Sequence, residues 1–471
     1  MGGVTRRGFV EGALAFAGIS GGRLPASAAE VEKSASPVPA YYDDYLTSRA
    51  AKVALHALTC ADGFWFITDP HVGSNCKKSG LLLAELGRRT GLAKVLCGGD
   101  LTEAFKGRHA SCQAGVDFAV ETYNKLWRDP IEAAGLQLYN AKGNHDFTIR
   151  LDPTAEDGFT YSNLDARARV MDTQACRHVV TNGDDPSACY YYFDNAGAKI
   201  RYIVADTTDS IDSTRTWWAV VSGMHEVQLR WLAEKAVATI PAGWSAVVMH
   251  HIPLTTCVGS MGERNLYAPF RQLLEAYQNR ETVEVAGRTY DFTQAKGRIL
   301  LDITGHHHAE RQTFQRGILH VTEPCDAAYG DYIYGSPKCG ELPPKKAGTC
   351  AEQTFDAVQL DPAHDRIFFT RVGGGQDRII HLTPRTVKVG ETFAFASACG
   401  IQGALTWDCY DADRTESRPN PKNKYSPFVD YVQTRGTIDA QGVFTAAKPG
   451  EMMVQVSDGV RNKEIFPVTV V

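Results

Sequence analysis

"RILLDITGHHHAE", residues 298–310, decides how the chain is read. Its first seven residues are mostly apolar with β-branched members, the pattern of a buried strand. Gly305 then ends the strand, and His306, His307 and His308 follow. The run lies in the interior of the chain, so it is not a terminal purification tag. A strand that stops at glycine and presents imidazoles describes a site at a strand's carboxyl end. In an extended segment alternate side chains face opposite ways. His306 and His308 are therefore expected to point one way and His307 the other. If two of these imidazoles bind metal, the remaining ligands must come from elsewhere in the chain.

Four earlier segments supply them. "GFWFITD" (63–69) reads as a strand and runs into Asp69-Pro70-His71. "KVLCGGD" (94–100) is a second strand, ending in Gly98-Gly99-Asp100. "QLYNAKGNHD" (137–146) is a third, ending in Gly143-Asn144-His145-Asp146, and "SAVVMHH" (245–251) ends in His250-His251. Between the first three lie "SGLLLAELGRRTG" (79–91), an amphipathic helix closed by glycine, and "GVDFAVETYNKLWRDPIEAAG", helical up to its proline. The order is βαβαβ, with polar residues gathered where strands end. "YYYFDNAGAKIRYIVADT" (190–207) reads as a hairpin turning at Asn195-Ala196-Gly197. Residues 150–190 and 255–295 read as insertions that shape a pocket.

The five blocks D-x-H, G-D, G-N-H-D, H and G-H-x-H, in this order from 69 to 308, resemble the calcineurin-like metallophosphoesterase superfamily. Each block alone is weak. Asp69 alone is a strand-end turn former, Asp100 a helix cap, Asn144 a turn residue and His145 a loop residue. Their joint order carries the resemblance, and "QLRWL" ahead of the fourth block adds to it. The resemblance implies an α/β fold, a four-layer α-β-β-α sandwich. It implies two divalent ions (Mn, Fe or Zn), with Asp69, His71 and His308 on the first, Asp100 bridging, and Asn144, His250 and His306 on the second. His145 would be the general acid and Glu103 the residue that orients it, while Asp146 and His251 would stand beside the ligands. His307 would be a neighbour only. The implied chemistry is attack on phosphorus by a hydroxide bridging the metals. The residue types suit it, because a carboxylate holds two cations together while imidazoles and a neutral amide keep them electrophilic. Purple acid phosphatases carry a tyrosine where Glu103 stands, so a phenolate–iron centre is disfavoured. The Asp-Arg-Gly run of the protein phosphatases is also missing.

With 471 residues, 44% hydrophobic and 22% charged, the chain is globular and long enough for two or three domains. A net charge of -5 without a basic run argues against a nucleic-acid partner. "TRRGFVEGALAFAGISGGRLPASAAE" pairs Arg6-Arg7 with a modestly apolar stretch and Ala26-Ser27-Ala28, and resembles a twin-arginine export signal over residues 1–28. Residues 29–60 would be a helical lead-in and 61–381 the catalytic domain, exported to the periplasm, cell surface or medium. No later run is long enough to span a bilayer. Export permits disulfides among the twelve cysteines. Spacing suggests Cys399 with Cys409, Cys176 with Cys189, and a pair among Cys325, Cys339 and Cys350. Cys97 reads as a small hydrophobe on its strand.

Beyond Leu382 the chain turns to short alternating strands with glycine turns. Residues 382–471 resemble a bacterial immunoglobulin-like all-β sandwich, able to contact cell wall or glycan. The substrate expected is a small phosphate ester, with diesters or small organophosphates ahead of phosphomonoesters and nucleotides. Competing readings are a surface binding protein with a degenerate site, or a metal store without turnover. "VGGGQDR" lacks the Lys-Ser/Thr of a phosphate loop and reads as a turn, with Arg371 and Arg378 as candidate phosphate contacts.

Overall fold

The computed structural model describes residues 38–72, 76–102, 112–146, 163–209, 223–255, 267–326, 341–413, 415–418 and 428–471. The expected export segment, Glu103 and Cys339 lie outside the described residues. Of the helical lead-in, the described part forms a helix over Asp43–His56.

Two sheets form the centre. The first is mixed, and at its heart Asp62–Ile67, Lys94–Cys97 and Gln137–Asn140 run parallel. On the other side of Asp62–Ile67 come the antiparallel strands Thr354–Asp361, Arg366–Gly373 and Asp377–His381. The second sheet has parallel Ile200–Val204, Ser245–Met249 and Arg298–Thr304, with Ile318–Thr322 parallel beyond them. The expected hairpin is present, with Tyr191–Asn195 antiparallel to Ile200–Val204.

The layering follows from side-chain alternation. In Ser245–Met249, Val247 and Met249 join the core that also holds Phe64, Phe66 and Tyr202 of both sheets. Ala246 and Val248 join a second core with Phe270, Leu273 and Leu274 of the helix Ala268–Asn279. The first sheet's far face is covered by Asp43–His56 and Ser79–Thr90, which bury Leu46 and Val53, and Leu82 and Leu86. Ser79–Thr90 stops at Gly91, whose φ of +70° a side chain would resist. Four layers, α-β-β-α, result. The helix after Cys112 does not break at its proline. It widens to a π turn over Asn124–Arg128, and Pro130 opens the next turn, where its missing N–H is not needed.

The chain beyond 382 is joined to the preceding part by main-chain pairing. Asn462–Val470 pairs in parallel with Asp377–His381, so the first sheet continues through Gly450–Ser457 to Thr406–Asp411. A separate core of Val387, Phe395, Phe444, Val454 and Val468 lies between this extension and a three-stranded sheet. Position 382 marks a change of core, not a break in the sheet.

The suggested pairings of Cys176 with Cys189 and of Cys399 with Cys409 are not formed, since Cys176, Cys399 and Cys409 are free thiols, while the pair suggested among Cys325, Cys339 and Cys350 rests partly on Cys339, outside the described residues. Cys176 Sγ faces the Tyr191 hydroxyl at 3.4 Å, and the Cys409 thiol lies toward the Gly436 carbonyl while Cys399 faces Ile401. Close spacing in sequence did not bring these side chains face to face. Cys97 is a buried core residue of its strand.

Candidate metal centre

All five blocks meet where the parallel strands end, between the two sheets. The chain turns sharply there. Asp69, His71, Asp100, His306 and His308 all take a positive φ, between 41° and 69°. Non-glycine residues rarely adopt this conformation, and strain of this kind gathers at functional sites. Two glycines make the close approach feasible. A Cβ on Gly143 would collide with the Asp100 backbone nitrogen, and one on Gly305 with the Thr68 hydroxyl.

Each carboxylate is tied down by one oxygen and offers the other. Asp69 Oδ2 accepts from the Thr68 hydroxyl at 2.7 Å and the His306 backbone N–H at 2.9 Å. Its Oδ1 lies 3.1 Å from His308 Nε2. Asp100 Oδ1 accepts the His145 backbone N–H at 2.8 Å, leaving Oδ2 facing His251 Nε2 at 3.3 Å and His71 Nε2 at 3.8 Å.

Two donor groups share Asp100. In the first, Asp69, His71, Asp100 and His308 place one ligand atom each within 4.8 Å of one another, with His71 Nε2 and His308 Nε2 at 3.4 Å. In the second, Asn144 Oδ1 lies 2.9 Å from His306 Nδ1 and 3.0 Å from His251 Nε2, and those two nitrogens are 3.3 Å apart. Atoms held about 2.0–2.2 Å from a common ion in tetrahedral or octahedral geometry stand roughly 3.0–3.5 Å apart. The spacings fit two cations sharing one carboxylate.

The paired histidines exchange the places expected of them. His250 Nδ1 faces the Ile252 carbonyl at 2.9 Å and its Nε2 faces Asp302 at 2.6 Å. Both ring nitrogens are turned to protein oxygens, away from the donor groups. His251 donates from Nδ1 to the Gly98 carbonyl at 2.8 Å, which leaves Nε2 unprotonated in the neutral ring and facing the cluster. Strand alternation accounts for the swap. His250 continues the face of Ala246 and Val248 toward Phe270, and His251 the face of Val247 and Met249 toward the inter-sheet core. Sequence reasoning missed this, although carrying the alternation two residues past Met249 finds it.

His307 stands outside both groups, its ring 5.3 Å from that of His306. The segment is a tight bend with two left-handed residues, not the extended run expected, yet His306 and His308 still converge. His145 sits at the rim, its ring 4.8 Å from that of His71 and its Nε2 3.8 Å from Asp100 Oδ2. Asp146 stays outside the donor groups and accepts backbone N–H bonds from Leu101, Thr102 and Gly143, at 2.8 to 3.0 Å. Arg371 and Arg378 do not reach the site as phosphate contacts. Both are buried and paired with Glu310, Glu323 and Asp356 behind the histidine loop.

Electrostatics agree with a cation site. Burial opposes charge on Asp69 and Asp100, and the surrounding imidazoles outweigh it and hold both carboxyls below their ordinary range. Burial likewise opposes a proton on His251, but Asp100 and Asp69 raise it to about 9. The metal-free cluster collects protons, which bound cations would displace.

A family profile described as calcineurin-like phosphoesterase matches residues 63–310. No curated protein matches the chain. Among solved structures, a dimetal phosphatase from Danio rerio is 17% identical, with 69% of this chain and 100% of that one covered at a TM-score of 0.45. A purple acid phosphatase from yellow lupin is 12% identical, over 65% and 50% of the chains, at 0.35. A structure described as a putative 5'-nucleotidase from Staphylococcus aureus is 14% identical, over 68% and 54%, at 0.33. The profile spans more than half of the chain, which therefore belongs to the calcineurin-like phosphoesterases and is a metal-dependent hydrolase of phosphoric esters.

Proposed function

We propose that this chain is an exported binuclear phosphoesterase acting on small phosphate esters, with diesters and small organophosphates preferred. The observation that carries the reading is the pair of donor groups joined through Asp100. Asp69, His71 and His308 would hold one ion, Asn144, His251 and His306 the other, and Asp100 both. Two divalent ions held there supply positive charge against the phosphate and a nucleophile at neutral pH.

The chain's own groups do the rest. Asp100 keeps the two donor groups in one frame, and the Gly143 turn brings the His145 backbone N–H onto its Oδ1. His145 is half-buried, beside the donors rather than among them. In this reading it would protonate the departing alkoxide oxygen, a role worth about 10²–10⁴ in rate. Glu103 remains the proposed residue orienting His145. The twin-arginine pattern at Arg6-Arg7 supports export, and no helix of the described residues is long and apolar enough to cross a membrane. The C-terminal strands would keep an immunoglobulin-like role toward cell wall or glycan.

The test is turnover of a nitrophenyl phosphodiester against the matching monoester, with and without Mn²⁺. Asp100→Asn and His145→Ala are run alongside. Metal-dependent hydrolysis lost in both variants, faster on the diester, supports the reading. Faster monoester hydrolysis makes it a phosphomonoesterase or nucleotidase. Two bound ions without turnover of either would overturn it.

A further inference from the structure

The parallel strands of the second sheet have two ends, and the metal donors occupy only one. At the other end Ile200, Ser245 and Arg298 stand side by side in register as their strands begin. A cavity of about 480 Å³ opens there, lined by Lys199, Arg280, Lys296 and Arg298, with Trp244 and Pro362 in its wall. Ser245–Met249 spans five residues, so at ~3.3 Å per residue the cavity lies roughly 15–20 Å from the donors.

Four cationic residues line this cavity and no acidic one does. Among the described residues, none of the four has a carboxylate within 4.0 Å. Arg201 of the same sheet, by contrast, is neutralised by Asp194 at 2.7 Å. Lone surface lysines would be ordinary, but Arg280 is built in. Its guanidinium donates to the backbone carbonyls of Tyr277, Gln278 and Gly297, the last two at 3.1 and 2.5 Å. Those bonds fix its position without cancelling its charge. Arg298 is oriented likewise through Nε to the Ser245 hydroxyl at 3.1 Å. Gathering unpaired cations in one concave site costs self-repulsion, which a bound anion relieves.

We propose that this cavity is a second anion site, for a small phosphate-bearing ligand, at the pole opposite the metal donors. A carboxylate would cancel one charge of four. A phosphate group brings about -1.5 to -2 at pH 7 and three acceptor oxygens, which matches clustered guanidinium and ammonium donors. The Trp244 wall offers an apolar face to the organic part of an esterified ligand. Free orthophosphate and phosphomonoesters present the same oxyanion, so both are probed.

The experiment is equilibrium dialysis of the full chain carrying Asp100→Asn, so that esters are not consumed, against orthophosphate, pyrophosphate and glycerol phosphate. One site per chain is expected, tighter for pyrophosphate than for orthophosphate and weaker with rising salt. Tighter glycerol phosphate than orthophosphate assigns the site to an esterified ligand, and the reverse order to the free ion. Adding Lys199→Gln, Lys296→Gln and Arg298→Gln should weaken binding at least tenfold. In the chain that keeps Asp100, the same three changes should leave kcat/KM on a nitrophenyl ester unchanged. If the triple change lowers the melting temperature, the exposed pair Lys199→Glu and Lys296→Glu must still weaken binding tenfold. Undiminished binding in these variants, or no binding in the Asp100→Asn chain, overturns the proposal. Neither result depends on the substrate class of the metal centre.

Discussion

Adjacent histidines 250 and 251 should fail in opposite ways. His251→Ala removes the Nε2 that lies 3.0 Å from Asn144 Oδ1 and 3.3 Å from both Asp100 Oδ2 and His306 Nδ1. The second donor group then keeps only Asn144, His306 and the shared carboxylate. Its ion should be lost on dialysis while the first is retained. One cation of a two-metal clamp contributes several kcal/mol, so activity should fall by about two to four decades. The fold loses mainly a partner for the Gly98 carbonyl, about 1–3 kcal/mol. His250→Ala removes no donor. It strips Asp302 of a partner at 2.6 Å and leaves His320 Nδ1 at 2.7 Å to hold the buried carboxylate. Losing a hydrogen bond to a buried carboxylate costs about 1.5–3 kcal/mol, and the surviving partner places this case near the lower end. Metal analysis after dialysis, turnover of a nitrophenyl ester, and melting in chelator separate the two. Two ions kept in His251→Ala together with one lost in His250→Ala would refute the assignment.

Three further perturbations probe the surroundings. Gly143→Ala drives a Cβ into Asp100 and should abolish metal retention, whereas Gly135→Ala, at φ +76° with open space around it, should cost about 1–2 kcal/mol and no activity, read by metal content and melts. Asp326 is buried, and burial, partly offset by hydrogen bonds from Ser79 and Cys76, raises its carboxyl from 3.8 to about 7. Its folded form therefore holds a proton that the unfolded chain releases at lower pH. The stability this confers is complete below about pH 4 and is lost as pH rises to 7, roughly 4 kcal/mol over the interval. Asp326→Asn should flatten that slope in urea titrations between pH 4.5 and 7.5, and an unchanged slope would contradict the argument. Lys463→Met removes the cation that lies 3.6 Å from Glu310 and 2.7 Å from Glu341. It should cost about 3 kcal/mol and loosen metal binding about tenfold through the histidine loop, with dialysis rates as the readout.

The five blocks were legible because their chemistry is local. Strand, glycine and ligand follow one another within a few residues, and each block lands at a strand end. What the sequence could not display are the contacts made between distant segments. Arg371 and Arg378 look like free cations beside a glycine turn. Their partners Glu310, Glu323 and Asp356 lie 15 or more residues away, and burial turns five charges into a brace for the histidine loop. The continuation of the first sheet through Asn462–Val470 was hidden in the same way. A strand's own pattern shows that it pairs, not with what. The cysteines make the point in reverse, since short spacing without the right facing gives free thiols.

The brace also ties the C-terminal strands to the metal centre. Lys463 lies in the strand that pairs with Asp377–His381, and its ammonium reaches Glu310, two residues after His308. Glu310 in turn holds Arg371, whose Nε holds Asp356 in the strand beside Asp62–Ile67. Asp62–Ile67 is the strand that delivers Asp69. The first and last blocks, Asp69 and His308, must stand 3.1 Å apart although they are joined by 239 positions of chain. Left alone, two strained left-handed turns would relax away from each other. A buried lattice of three cations and three carboxylates, closed by a strand from beyond residue 382, opposes that relaxation. Deleting the C-terminal strands should therefore cost metal affinity before it costs the fold of the second sheet. Retained metal in such a truncation, with the helices intact by circular dichroism, would show that the lattice serves stability alone.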